Sequence, residues 1–228
     1  MHFDIVEIGT ADFDSETQIE KGFFVEKFGE VENKRILSVE PVKRYLDNLP
    51  VLPNSFKEHA AVSNRDGEID IWFVSPENIV KYGFPGWTSG CNSVNNPHPL
   101  TFGDYQKMSQ EQNHPAYMRT IADIFTVDTV KCITFKMLAE KYDITSISFL
   151  KVDAEGHDTI ILNDYFQYCQ TSPQCKANWI VFEANELTSS GVVDECVRKA
   201  EQLGYILRQR NYDTILQLDA TVSEGDLV

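Results

Sequence analysis

The sequence predicts an α/β fold built on a mostly parallel sheet, with one reversed strand near the C-terminus. Short apolar, β-branched runs alternate with amphipathic segments, the pattern of a parallel sheet flanked by helices. Several of these runs end in acids and a glycine, as at Glu7-Ile8-Gly9 and Asp153-Ala154-Glu155-Gly156. The last two runs, Tyr205-Ile206-Leu207-Arg208 and Thr214-Ile215-Leu216-Gln217-Leu218, are joined by a short link. A parallel crossover needs a dozen residues or more, so this pair must be antiparallel.

The elements follow in order. Phe3 to Ile8 reads as the first strand, and Ser15 to Phe28 as a helix with Ile19, Phe23 and Phe24 on one stripe. Arg35 to Val39 is a second strand, and Pro41 to Leu49 a short helix with proline in its first turn. His59 to Val62 reads as a third strand, and Ile69 to Phe73 follows the Asp66-Gly67 turn as another. From Pro76 to Tyr117 the periodicity fails among Pro, Gly and Asn, while Tyr82, Phe84, Trp87, Phe102 and Tyr105 supply aromatic anchors. A loop of this length is expected to act as a lid or binding element within a single domain spanning the chain. Regular structure resumes with a strand over Ile124 to Val130 and a helix after Thr134, a suitable N-cap. Then come a strand over Ile147 to Val152, a helix from Asp158 to Phe166, and a strand over Trp179 to Phe182. A helix from Val192 to Leu203 ends at Gly204.

The 228 residues are 42% hydrophobic and 24% charged, enough to bury a core without cross-links. With 20 basic and 35 acidic residues the formal net charge is −15, which argues against nucleic acid and anionic membrane surfaces as partners. No apolar run approaches the ~20 residues of a spanning helix, and the start of the chain does not resemble a leader. Five cysteines, Cys91, Cys132, Cys169, Cys175 and Cys196, contain no C-x-x-C pair. They are expected as reduced, buried thiols in a cytoplasmic protein.

Three strand ends carry the chemistry. Ligands of open α/β sheets bind at the carboxyl ends of the strands. At the first, Glu7, Gly9, Thr10, Ala11 and Asp12 form a loop whose carboxylates suit a ligand with a positive charge better than a phosphate. The nicotinamide-dinucleotide fingerprint G-x-G-x-x-G is absent there. At the second, Glu40 before Pro41 is placed to accept from the two hydroxyls of a ribose. At the third, Asp153 and Glu155 end a buried strand, with His157 and Asp158 opening the next helix. Capping uses one such acid and leaves the second for another task.

Leu150-Lys151-Val152-Asp153-Ala154-Glu155-Gly156-His157-Asp158 resembles the LKIDVEGxE signature of the FkbM family of S-adenosylmethionine-dependent methyltransferases. Leu37-Ser38-Val39-Glu40-Pro41 is similar to the family's second strand end. Ala60 to Ser63, Val130 to Leu138 and Val181-Phe182-Glu183 resemble its further segments in order and spacing. The resemblance implies a Rossmann-like class I methyltransferase fold with a seven-stranded sheet, S-adenosylmethionine as cofactor, and O-methylation of a hydroxyl on a sugar or glycan. It implies that Glu7, Gly9, Thr10, Ala11 and Asp12 line the methionine part, Glu40 and Pro41 the ribose, and Ala61 and Val62 the adenine. Asp153 would lie near the methyl group.

Removing the acceptor proton calls for a base. The candidates are Asp153, Glu155 and His157, with Asp153 first on geometry. Trp87, Ser89 and Glu183 are candidate acceptor contacts. Asp153, Glu183 and Asn185 stand where some methyltransferases hold Mg²⁺ or Mn²⁺; a site without metal is the reading adopted. Two competing readings are a cofactor-binding or interaction domain without catalysis, and a nucleotide-dependent oxidoreductase.

Overall fold

The computed structural model describes residues 1–10, 27, 29 and 31–219. In chain order its first elements are β1 (His2–Ile8), β2 (Ile36–Val39), α1 (Lys43–Asn48), β3 (Ser55–Glu58), β4 (Ala61–Val62) and β5 (Gly67–Val74). Then come α2 (Pro76–Tyr82), β6 (Ser93–Val94), α3 (Pro99–Met108), α4 (Ile121–Ile124), β7 (Phe125–Ile133) and α5 (Phe135–Lys141). The last are β8 (Ser146–Val152), α6 (Asp158–Thr171), β9 (Trp179–Glu183), α7 (Ser190–Gln202), β10 (Tyr205–Arg210) and β11 (Asp213–Leu218). The chain divides into two compact units, Met1–Gly67 with Lys131–Val228, and Glu68–Val130.

The larger unit carries a seven-stranded sheet in the order β10-β11-β9-β8-β1-β2-β3. β3, β2, β1, β8 and β9 run parallel to one another. β11 pairs antiparallel with both β9 and β10. The short link between β10 and β11 forces that reversal. β1 lies between β2 and β8, and Phe3, Ile5, Val6 and Glu7 are fully buried. A strand covered on both faces reads as a near-continuous apolar run, which is why β1 was legible. Val6, Leu37, Leu150 and Ile180 share one core with Leu138 of α5, Ile161, Leu162 and Tyr165 of α6, and Val193 and Val197 of α7. Ile5, Ile36, Phe149, Val181 and Ile215 form the core of the opposite face.

Several boundaries differ from the sequence reading. The strand expected over His59 to Val62 shortens to β4, Ala61–Val62, which pairs in parallel with the end of β7, while β3, Ser55–Glu58, pairs with β2 at the sheet edge where no strand was expected. β3 is only partly buried along Ser55 to Lys57, so it carries no apolar alternation to betray it. Helix α1 opens at Lys43 rather than in the turn of Pro41, because the Glu40 side chain takes the Val42 N–H. The helix expected over 15–28 lies outside the described residues, Lys27 apart. β7 is longer than expected, and α4 precedes it, begun where Asp123 accepts from Thr120 N and Oγ1 at 2.8 Å.

The smaller unit holds much of the stretch read as irregular, and two helices stand there. Pro76 and Pro99 open α2 and α3, at positions whose N–H has no helical partner in any case. α2 is capped by Ser75 and ends on Gly83 at φ 72°. Val74, Tyr82, Phe84, Ala116, Ile124 and Phe125 form the core of this unit, and β5 pairs antiparallel with β6. Among the described residues no helix is long and apolar enough to cross a membrane.

Candidate active site

Parallel register brings the ends of β1, β2, β8 and β9 to one edge of the larger unit. Ile8 pairs with Val39 and Val152, and Val152 with Phe182, so Gly9, Glu40, Asp153 and Glu183 follow side by side. The ladder continues past the strands: Gly9 N donates to Val39 O and Asp153 N to Ile8 O, both at 2.9 Å. Gly9 has φ +80°, and a Cβ there would lie 1.8 Å from the Asp153 carbonyl oxygen. Glycine is therefore required at this position for backbone packing against β8, before any ligand is considered.

Glu7 is fully buried. Lys151 Nζ lies 3.9 Å from Glu7 Oε1 and 3.5 Å from Asp153 Oδ2. Sequence reasoning assigned Lys151 no role. The available signal was a lysine inside an apolar strand, since a buried charge needs a partner. Glu40 is 2% exposed, and its Oε1 accepts Val42 N at 2.8 Å, which holds the carboxylate at the end of β2. Thr10 is 1% exposed and its hydroxyl meets no hydrogen-bond partner among the described residues.

Asp158 organises the loop after β8. It is fully buried, with Oδ1 accepting Ala154 N at 3.2 Å and Oδ2 accepting Gly156 N at 3.1 Å. Burial, with the Asp153 charge added, holds its carboxyl well above the usual carboxylate range. Its two bonds tie the whole loop, which includes Glu155 at φ +50° and Gly156 at φ +87°. A non-glycine residue in the left-handed region costs roughly 1–3 kcal/mol, tolerated where surrounding contacts over-determine it. His157 places Nε2 2.9 Å from Ser63 Oγ, and burial, then Arg65, lowers its pKa.

One oxygen from each of Asp153, Glu155 and Glu183 lies within 4.8 Å of the others. Burial, then the charges of Glu155 and Asp153, push the Glu183 carboxyl up to about 8. Its Oε2 is buried and has no hydrogen-bond partner among the described residues. These three oxygens are the ones able to approach a divalent cation together. Asn185, named beside Asp153 and Glu183 in the sequence, follows them at the end of β9, where its Oδ1 accepts Leu187 N at 2.9 Å. The folded carboxyl of Glu183 holds its proton more tightly than an unfolded one. Its contribution is therefore complete below the ordinary carboxyl pKa and is lost as pH rises through about 8. Glu183→Gln is expected to raise the melting temperature at pH 8.5 by about 2–4 °C, the equivalent of ~1 kcal/mol at this chain length. The gain should vanish near pH 5 in the same thermal scan.

The other candidate residues are placed as follows. Ala61 and Val62 are buried in β4, with Val62 in the main core. Pro41 offers its carbonyl to His59 Nε2 at 2.9 Å. Trp87 is 45% exposed in a 3₁₀ turn of the smaller unit, where Ser89 Oγ donates to Gly86 O at 3.0 Å. Ala11 and Asp12 lie outside the described residues.

Comparison with curated proteins and with solved structures returned no match. The model of the methyltransferase FkbM domain matches residues 18–213. The match starts after β1 and runs through Glu40, the Asp153–Asp158 loop and Glu183, three of the strand ends gathered at this edge. With most of its length covered and those residues in place, the chain belongs to the FkbM methyltransferase family.

Proposed function

We propose that this chain is an S-adenosylmethionine-dependent O-methyltransferase acting on a hydroxyl of a sugar or glycan, on a Rossmann-like class I methyltransferase fold. The observation that carries the reading is the row of carboxylates from Glu7, Glu40 and Asp153 on adjacent strands β1, β2 and β8. Acceptor-only groups in that row fit a ligand with a sulfonium, an ammonium and two ribose hydroxyls, and would repel a phosphate. Membership of the methyltransferase family supports the same cofactor. All five cysteines are free and buried, in keeping with a cytoplasmic location.

S-adenosylmethionine, when bound, supplies a methyl group on positively charged sulfur. Glu40 would hold the ribose hydroxyls. Gly9 and Thr10, with Ala11 and Asp12, would line the methionine part, and Pro41, Ala61 and Val62 the nucleoside. The Asp153 carboxylate would face the reacting centre. Orienting the acceptor supplies much of the acceleration, because a near-attack geometry removes the entropy of encounter. The acceptor hydroxyl must also lose its proton. Asp153 and Glu155 would take it, ahead of His157, whose Nε2 faces Ser63. Glu183, protonated near neutral pH, would donate a hydrogen bond to the acceptor oxygen. No metal is required by this scheme.

Calorimetric titration with S-adenosylhomocysteine tests the reading, with NAD as control and with or without Mg²⁺. Micromolar binding of S-adenosylhomocysteine alone is expected. Glu40→Ala should weaken it at least tenfold, the loss expected for a charge-assisted hydrogen bond of about 1.5–3 kcal/mol. Binding of NAD instead, or of neither ligand, would overturn it.

A further inference from the structure

Within the larger unit, the loop after β9 and the turn between β10 and β11 enclose a cavity of about 890 Å³. None of its residues apart from Asn185 is among the sequence-derived candidates. It begins at Ala184, the residue after Glu183, and its wall includes Asn185, Ser189, Arg210, Asn211 and Tyr212. Its rim is tied to the candidate active site. Ala184 N donates to Tyr212 O at 2.7 Å, and Thr188 Oγ1 donates to Gly156 O at 3.5 Å. Gly156 packs so closely that a Cβ there would lie 3.0 Å from Leu187 Cβ. The cavity therefore opens beside the loop that carries Asp153 and Glu155.

The lining specifies a ligand class. Among the described residues Arg210 is the one cation of the wall, and its guanidinium donates to the Asp194 carboxylate and the Ser190 carbonyl. Glu186 adds a negative charge to the same wall. An anionic ligand would compete with Asp194 for Arg210 and meet the like charge of Glu186. What remains is neutral: hydroxyl and amide side chains beside the apolar Ala184 and Val193, together with Tyr212, which is 80% exposed. A large aromatic ring held at a cavity mouth offers a flat apolar face, and the side-chain amides beside it offer paired donors and acceptors. That combination matches a ring with one C–H face and a rim of hydroxyls.

We infer that this cavity is the acceptor subsite and that it takes an uncharged pyranose, stacked on Tyr212 with a hydroxyl toward the ends of β8 and β9. The inference rests on the O-methyltransferase reading for its role as acceptor site, but the sugar binding itself is testable without turnover. Saturation-transfer-difference NMR would be run on the full chain with S-adenosylhomocysteine and the methyl glycosides of glucose, galactose and mannose. Glucose 6-phosphate serves as the charged counterpart.

At least one glycoside should show transfer to its ring protons. Tyr212→Ala should weaken that glycoside at least fivefold, while Tyr212→Phe should stay within twofold. Both variants should melt with the parent, because the side chain is exposed and only the backbone of Tyr212 is tied to Ala184. Absence of signal from every glycoside, tighter binding of the phosphosugar, or a signal untouched by Tyr212→Ala would each overturn the inference. A glycoside that binds to a chain with no affinity for S-adenosylhomocysteine would uphold the sugar site and reject the methyltransferase reading.

Discussion

Gly9→Ala is expected to lower folding stability by about 2–5 kcal/mol, the sum of a strained left-handed backbone and an overpacked contact. That is a large share of the roughly 5–15 kcal/mol that holds a domain together. The cause is local and rigid: the new Cβ would meet the Asp153 carbonyl at 1.8 Å, and that atom belongs to the backbone following β8. A side chain could rotate away, whereas this carbonyl sits at the end of a hydrogen-bonded ladder between β1 and β8. Urea unfolding measures the loss. Gly83→Ala is the control, since Gly83 has φ +72° with open space around it and should lose only ~1–2 kcal/mol. Equal losses at the two glycines would refute the steric argument. Intact stability with lost S-adenosylhomocysteine affinity would show that Gly9 is needed for ligand approach instead.

Asp158→Asn should cost about 2–4 kcal/mol despite its near-identical shape, because it leaves a buried donor unmatched. The carboxyl accepts from Ala154 N and Gly156 N through its two oxygens. An amide has one acceptor and turns its NH₂ toward the other N–H. The loop that carries Asp153 and Glu155 would then lose one of its ties, and S-adenosylhomocysteine affinity should fall at least tenfold with it. Chemical denaturation and calorimetry on the same variant read the two effects. A variant with parental affinity and lowered stability would confine Asp158 to capping its helix.

The parts of the fold that were legible from residues are those whose signal is local. Buried parallel strands such as β1 and β8 show themselves as apolar runs, and the short link between β10 and β11 leaves no route to a parallel pair. Acids at strand ends were legible for the same reason: Glu7, Glu40 and Asp153 interrupt apolar patterns where a parallel sheet places its ligand edge. Edge strand β3 was missed because partial exposure removes the alternation, and α3 was missed because its proline was read as a breaker. Proline at a first helical position breaks nothing.

Chemistry at the strand ends, its residue types and its broad class, was thus available from the chain before any coordinates. Distances between those ends were not. Lys151 reaches both Glu7 and Asp153 because β1 lies beside β8 in one particular register. Glu183 gathers with Asp153 and Glu155 because β9 is the next strand over, and that crowding together with burial shifts its proton affinity. Tyr212 comes to the same edge through a hairpin whose antiparallel strand pairs with β9. Apolar periodicity specifies which face of a strand is buried, but sheet order and register are set by packing among residues far apart in the chain. Neighbours of that kind leave no mark on the local sequence.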